Sequence, residues 1–375
     1  MSNRIVHMTS VHSRYDIRIF IKMCSSLAEN KDFEVFLVVA DGLGDEMKNG
    51  VNIVDVGKTK GRWKRMFLTT KKVFKSAQNL AGDIYHLHDP ELIPTGLKLL
   101  KQNKNVIFDA HEDLPKQIKG KPYLPSVLRS VLPYLVEWYE KYATPKFTYI
   151  ITATPTIRDK FLNYTTTAID INNFPIAGEL MTVSKAGNRK SNQVCYIGAI
   201  TKIRGIDEML QAISSLEGVS LVLVGKFAEP NLEDSLKKTR DWENVVETGF
   251  LNREGVKDVL SNSFAGLVTL LPSPNHIDSL PNKMFEYMSA GVPIIASDFP
   301  LWKQIIDETG CGIHVNPENP EEIKTAISYL MKNPEEARKM GENGYNAILT
   351  KYNWASQLAK LNGIYETILV AGDKS

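Results

Sequence analysis

An α/β chain of two Rossmann-like domains is predicted by three features of this 375-residue sequence. Short apolar runs alternate with helical patterns from end to end, as parallel sheets covered on both faces require. The length suits two domains of ordinary size. A polar break, Asn172–Asn173 ahead of Phe174–Pro175, precedes a loose stretch, Thr182–Asn192, and puts the boundary there. The domains expected are 1–174 and 175–354.

The apolar runs read as strands are Ile5–Thr9, Val35–Val39, Ile84–His88, Val106–Ala110 and Tyr149–Ala153 in the first half. The second half supplies Gln193–Ile197, Ser220–Val224, Val245–Gly249, Ala265–Leu271, Val292–Ala296 and Gly312–Val315. Helical periodicity fills the gaps, for example over Ile17–Glu29 and Ile206–Leu216. An apolar fraction of 43% allows each half a core. No apolar run reaches about 18 residues, and MSNRIVHMTS lacks an apolar h-region, so neither a membrane span nor a signal peptide is expected. Cys24, Cys195 and Cys311 are far apart and odd in number, which suits buried free thiols of a cytosolic protein.

One stretch, DSLPNKMFEYMSAGVPIIASD (Asp278–Asp298), carries the densest signal. Pro281 suits a helix start, where it has no N–H to lose. Met284, Phe285 and Met288 form an inward stripe, Gly291 ends the helix and Val292–Ala296 reads as a buried strand. The free N–H groups of such a first turn attract phosphate. Glu286, one turn in, is suited to accepting hydrogen bonds from sugar hydroxyls.

Polar residues gather where three strands of the first half end. Thr9, Ser10, His12, Arg14, Asp16 and Arg18 follow the first. His86, His88, Asp89 and Glu91 follow the third, and Asp109, His111, Glu112 and Asp113 the fourth. Ligands of parallel sheets lie at those ends, and five of the seven histidines fall there, counting His7 on the first strand itself. The structural alternatives are plain. Asp89 is a good N-cap before Pro90, Glu91 favours the helix dipole, and Asp16 caps a helix starting at Ile17. His86 and His88, two apart near acids, admit zinc as a lesser reading, with no Cys or further His at ligand spacing.

Net charge is +2 but uneven: residues 1–172 hold 25 Lys+Arg against 18 Asp+Glu, the remainder 20 against 25. Lys58–Lys75 contains eight basic residues and no acid, interleaved with Trp63, Met66, Phe67, Val73 and Phe74. Tyr123–Tyr142 is rich in Leu, Val and aromatic residues. Together they suggest a protein lying on an anionic membrane surface, a solvated basic helix being the alternative. The acidic second half disfavours nucleic acid. No G-x-G-x-x-G follows the first strand, which disfavours a dehydrogenase.

The Asp278–Asp298 stretch resembles the donor-binding helix of family-4-type retaining glycosyltransferases of the GT-B fold, in which two Rossmann-like domains face each other across a cleft. It is similar above all to the PxKxFEYMxxGxP form of bacterial surface-polysaccharide (O-antigen or capsule) enzymes, through Pro281, Lys283, Phe285, Glu286, Tyr287, Met288, Gly291 and Pro293. Asp278 stands where the usual first acid is Glu. CYIGAITKIRG resembles the family's phosphate-binding turn: Gly198 matches, Ala199 replaces the usual Arg, and Arg204 the usual Lys. Lys202 or Lys283 would supply the missing cation. DAHEDLP fits the strand end whose His meets donor sugar and acceptor, and VVETGF the strand that grips the nucleobase.

The resemblance therefore implies His111, Asp278 and Glu286 as catalytic residues. It implies Gly198, Lys202, Arg204, Gly225, Gly249, Phe250, Leu280, Pro281, Asn282, Lys283 and Glu286 for the donor. His12, Asp16, Arg18 and His88 would lie on the acceptor side. The usual Gly-Gly loop after the first strand is replaced by SVHSRYDIR. The helical tail, about 355–375, would pack on the first domain. No metal or other cofactor is implied. The activity implied is retaining transfer from a nucleotide sugar, UDP-linked by preference, to a polyprenyl-diphosphate-linked saccharide at the cytoplasmic face of the membrane. A GT-B UDP-HexNAc 2-epimerase using Asp109 and Glu112 is one alternative. A non-catalytic nucleotide-sugar-binding protein is the other.

Overall fold

Fourteen strands and the helices between them are seen in a computed structural model, which describes residues 2–120, 124–180 and 190–372. Most of the loose stretch expected over Thr182–Asn192, and Tyr123 of the apolar segment, lie outside the described residues. The strands are β1 Asn3–Met8, β2 Phe33–Val39, β3 Glu46–Lys48, β4 Val51–Asp55, β5 Ile84–Leu87, β6 Asn105–Ala110, β7 Tyr149–Thr152 and β8 Ala168–Asp170. They continue as β9 Lys190–Ile197, β10 Ser220–Val224, β11 Val245–Gly249, β12 Ser263–Val268, β13 Ile294–Ser297 and β14 Gly312–Val315. By contact the chain divides into 1–173 with 356–375, and 174–355.

The first unit has one eight-stranded sheet in the order β3-β4-β2-β1-β5-β6-β7-β8. Every pairing is parallel except β3 with β4. That edge hairpin escapes a search for apolar runs, yet its turn chemistry is written in Lys48-Asn49-Gly50-Val51. Asn49 and Gly50 both take positive φ, 50° and 75°, as a two-residue hairpin turn demands. β1, β5 and β6 are neighbours in the middle of the sheet, so the polar residues at their ends converge. The helix Trp354–Gly372 belongs to this unit from Ser356 on. It is tied there by Gln357, whose Oε1 accepts from the Asn172 N–H at 2.9 Å, and by the buried Tyr365.

The second unit has a six-stranded, wholly parallel sheet in the order β11-β10-β9-β12-β13-β14. One layer of core lies around Met284, Phe285, Met288 and Trp302, and another around Met209, Ile213, Leu223 and Ile327. The helix Asn282–Ser289 buries Lys283, Met284, Phe285, Tyr287 and Met288, and leaves Glu286 half-buried. Gly291, at φ 67°, closes it. Among the described residues no helix is long and apolar enough to cross a membrane.

Tyr287 fixes that helix on the sheet. Its hydroxyl accepts from the Ile197 N–H at 2.9 Å, and its ring occupies the space beside Gly266, where an added Cβ would lie 2.3 Å from the ring. We expect Gly266→Ala to destabilise the second unit by ~2 kcal/mol, as overpacked cores do, and to lower activity through the shifted helix. Urea unfolding beside a turnover assay checks this.

Candidate functional site

In the second unit three glycines form a row at the carboxyl ends of adjacent strands. Gly198, Gly225 and Gly249 have φ of 143°, 150° and 68°. The Gly198 N–H donates to Val224 O and the Gly225 N–H to Gly249 O, each at 2.9 Å. A Cβ on Gly225 would lie 1.9 Å from Gly198 O. Backbone this closely packed leaves strand ends bare of side chains, and a ligand can approach the main chain.

Two cations reach this row. An added Cβ on Gly198 would lie 3.1 Å from Arg204 Nη1 and 3.1 Å from Lys283 Nζ. Arg204 ends a short turn, Lys202–Arg204, whose next residue, Gly205, packs at φ 75° against Thr269 O. Lys283 is buried, and its Nζ has no hydrogen-bond partner; it stands 3.7 Å over the Tyr196 ring. Burial, reinforced by the Arg204 charge, pushes the Lys283 pKa well below its ordinary value. An ammonium without a counter-charge is expensive in such a place. A diphosphate would reverse the effect, supplying charge and hydrogen bonds together.

The helix start completes this half of the site. Pro281, the N-cap of Asn282–Ser289, offers no side-chain cap, so the helix presents its positive end. The preceding loop is pinned by Trp302, whose Nε1–H donates to Ser279 O at 2.6 Å. Leu280 turns its side chain onto the core, which leaves its backbone for a ligand. Asn282 is exposed, and Asp278 follows the short helix Pro274–Ile277 as its C-cap. Glu286 Oε1 accepts from Arg253 Nη1 at 2.7 Å, while Arg253 Nε donates to Glu179 at 2.8 Å. Arg253 thus orients Glu286, a role no local pattern announced. Phe250, 76% exposed after β11, has Lys226 5.8 Å from its ring. The structure does not gather Lys202: it lies on the exposed face of its turn, with its N–H bonded to Glu229. The cation that stands with Arg204 beside Gly198 is Lys283.

In the first unit the ends of β1, β5 and β6 open on a cavity of about 490 Å³. His12, Arg65, Glu91, His111, Gln117 and Tyr139 are among its lining. The rings of His12 and His111 are 5.0 Å apart, with side chains 28% and 20% exposed. Asp89 organises the loop after β1. It accepts from Thr9 Oγ1 at 2.8 Å and the Ser10 N–H at 2.6 Å, and pairs with His12 Nδ1 at 2.9 Å. The expectation that Asp89 caps its own helix is corrected, since its carboxylate makes no capping bond. Glu91 accepts from Ser10 Oγ and Arg65.

Three of the acceptor-side candidates are engaged within the unit. Arg18 is buried and spent on Asp109, with bonds of 3.0 and 2.7 Å, and on Ile171 O. Asp16 caps the helix that begins at Ile17, accepting from the Arg18 and Ile19 N–H groups. His88 is 1% exposed and bonded on both ring nitrogens, to His7 and Asp109. His12, His88 and His111 all line the cavity, with the His88 side chain itself fully covered. Asp109 takes bonds from Arg18, His88 and His111. Against the cost of burial, the Arg18 guanidinium and the imidazoles of His111 and His88 hold its carboxyl well below the usual range. A carboxylate so held is a poor proton donor, and Asp109 is fully buried.

In the second unit, then, a glycine row at parallel strand ends is met by two cations and by a helix start without a side-chain cap. Residues 182–347 match the family model described as glycosyl transferases group 1. The chain is 22% identical over 298 residues to MMP alpha-(1->4)-mannosyltransferase of Mycolicibacterium hassiacum, covering 76% of this chain and 71% of that one. Sucrose-phosphate synthase of Thermosynechococcus elongatus superimposes with a TM-score of 0.77 at 17% identity, covering 98% of this chain and all of the other. Anabaena HepE, solved in complex with UDP, gives 0.72 at 11% identity, covering 98% and 100%. The fold is that of the GT-B glycosyltransferases. The chain is a glycosyltransferase using a nucleotide sugar, with its group 1 domain in residues 182–347.

The Asp89–His12 pair links pH to stability. Burial opposes the charge on Asp89, but the His12 and backbone bonds prevail and lower its pKa from 3.8 to about 2. The folded value lies below the unfolded one, so the stabilisation, ~2 kcal/mol, is full above about pH 4 and lost as pH falls toward 2. Burial likewise opposes charge on His12, and Asp89 raises its pKa overall; that contribution is full in acid and fades as pH rises through the raised value. Asp89→Asn is expected to flatten both limbs in thermal melts from pH 2 to 8.

Proposed function

We propose that the chain is a retaining glycosyltransferase that takes a sugar from a UDP-sugar and delivers it to a lipid-linked saccharide of surface-polysaccharide synthesis. The observation that carries the donor half is Lys283, a buried amine beside Arg204 with no partner on its Nζ. As the glycosidic bond breaks, negative charge grows on the leaving diphosphate. Fixed cations and the N-terminal dipole of the Asn282 helix meet that charge without reorganising. Glu286, held by Arg253, would take the ribose hydroxyls, and Gly249 would offer main-chain groups to the base. Asp278 on the second unit would orient the donor sugar, and His111 on the first would meet a sugar hydroxyl. The base for the incoming hydroxyl would be a phosphate oxygen of the donor. The resident residues account for the charge, so no metal is invoked. The UDP seen in HepE favours uridine.

The acceptor reading rests on the first unit's surface. Trp63, Phe67 and Leu68 are exposed on the basic segment. Val127, Val131, Tyr134, Leu135, Trp138 and Tyr142 form an exposed stripe at helical spacing on Ser126–Ala143. Apolar stripes with basic neighbours suit the headgroup region of an anionic leaflet. Arg65 and Met66 of one segment, and Val136 and Tyr139 of the other, line the His12–His111 cavity. A polyprenyl-diphosphate saccharide could thus hold its lipid in the leaflet and its sugar in the cavity, with the protein on the cytoplasmic face.

Two experiments test this. UDP and UDP-sugars should raise the melting temperature and GDP-sugars should not; stabilisation by GDP compounds alone would overturn the uridine reading. Lys283→Met should weaken UDP binding by roughly 10-fold or more while leaving the ligand-free protein as stable or ~1 kcal/mol more so. Unchanged UDP affinity in that variant would remove the diphosphate assignment.

A further inference from the structure

Around Asp109, six side chains of the first unit form one buried hydrogen-bonded network, most of it beyond the cavity. His111 Nε2 lies 2.8 Å and His88 Nδ1 3.2 Å from Asp109 Oδ2. His88 Nε2 lies 2.8 Å from His7 Nδ1. His7 Nε2 lies 3.3 Å from the Tyr365 hydroxyl, which is 2.6 Å from His86 Nδ1. His86 Nε2 is buried without a partner. His7, His86 and His88 stack at 4.6–5.1 Å between ring centroids.

The protons in this network can be assigned by working outward from Asp109. An ionised carboxylate only accepts, so the two imidazole nitrogens on it carry hydrogens. Burial keeps His7, His86 and His88 neutral, each with a single N–H. His88 then offers a lone pair at Nε2, which takes the His7 Nδ1–H. His7 Nε2 takes the Tyr365 O–H, and the Tyr365 oxygen takes the His86 Nδ1–H. The one group left over is the His86 Nε2 lone pair, matching the orphan found there. The opposite polarity would turn two lone pairs toward the Asp109 charge. Ligand atoms of His7, His86 and His88 lie within 4.8 Å of one another, and in this proton arrangement these nitrogens are engaged with each other and with Tyr365.

The consequence falls on His111. In its neutral ring the only N–H points at Asp109, and Nδ1 has no hydrogen-bond partner among the described residues. We propose that Asp109 is a positioning residue for His111. It holds the ring as the Nε2–H tautomer, with Nδ1 presented as an acceptor for a substrate hydroxyl. Arg18 keeps Asp109 from turning away, through its two bonds. His88 occupies the remaining approach to Oδ2, and the Tyr365 helix closes the far end. The hydroxyl contact rests on the placing of His111 at the active site; the tautomer does not.

Long-range ¹H–¹⁵N spectra of the full chain, labelled at histidine, decide the tautomer, with His111→Ala assigning the resonance. The expected wild-type pattern is Nε2–H with an unprotonated Nδ1. An Nδ1–H pattern in the wild type would overturn the inference whatever the variants do. Asp109→Asn presents an amide N–H to the ring, so it should switch His111 to Nδ1–H. UDP release from UDP-glucose should then fall about 10-fold or more. A folded Asp109→Asn protein with both the wild-type tautomer and wild-type turnover would also overturn it. Undiminished UDP release by His111→Ala would instead remove the active-site reading, and the hydroxyl contact with it.

Discussion

A buried amine without a hydrogen-bond partner governs the second unit. Burial and the Arg204 charge oppose protonation of Lys283, and they prevail over Glu286, which favours it. In the proposed donor site a diphosphate would supply the charge that favours the ammonium. The glycines at the strand ends leave side-chain-free space beside it.

The first unit uses the opposite arrangement. Its central carboxylate, Asp109, is fully satisfied, by Arg18 on one side and two imidazoles on the other. Nothing in that network waits for a ligand except its last member, His111. One unit keeps a buried amine without a partner; the other satisfies its buried carboxylate, and one ring has a defined orientation. Binding an anion and orienting a neutral hydroxyl call for different electrostatics.

Particular residues explain how much of the site could be read from sequence. Pro281, Gly291 and the Met284–Met288 stripe are local signals, since chain geometry alone makes a helix start, stop and face inward. The gathering of five histidines was visible because strand ends can be counted, and β1, β5 and β6 are in fact neighbours. Which of those histidines keeps exposed side-chain surface was not visible. Arg18 and His88 look as well placed as His12 in one dimension, yet both are consumed by Asp109. The same holds for Lys202 and Lys283, two lysines of similar standing of which one is exposed and one buried. The Asn49–Gly50 hairpin was legible and was missed, because its strands are too short and polar for an apolar-run search.

By itself, then, the order of amino acids determined the α/β alternation and the start, stop and inward face of the Asn282–Ser289 helix. These depend on φ preferences, apolar periodicity and contacts within a few residues. The chemical class of the reaction came from the resemblance of that helix's motif to a known family. Tertiary structure alone decided that Tyr365, 279 residues from His86 along the chain, ends the histidine network. It also decided that Arg253 holds Glu286, and that Lys283 goes without a partner. Such pairings depend on strand order and on which side chain reaches a shared carboxylate first. No local spacing encodes that competition, because its outcome is set by the whole packed unit.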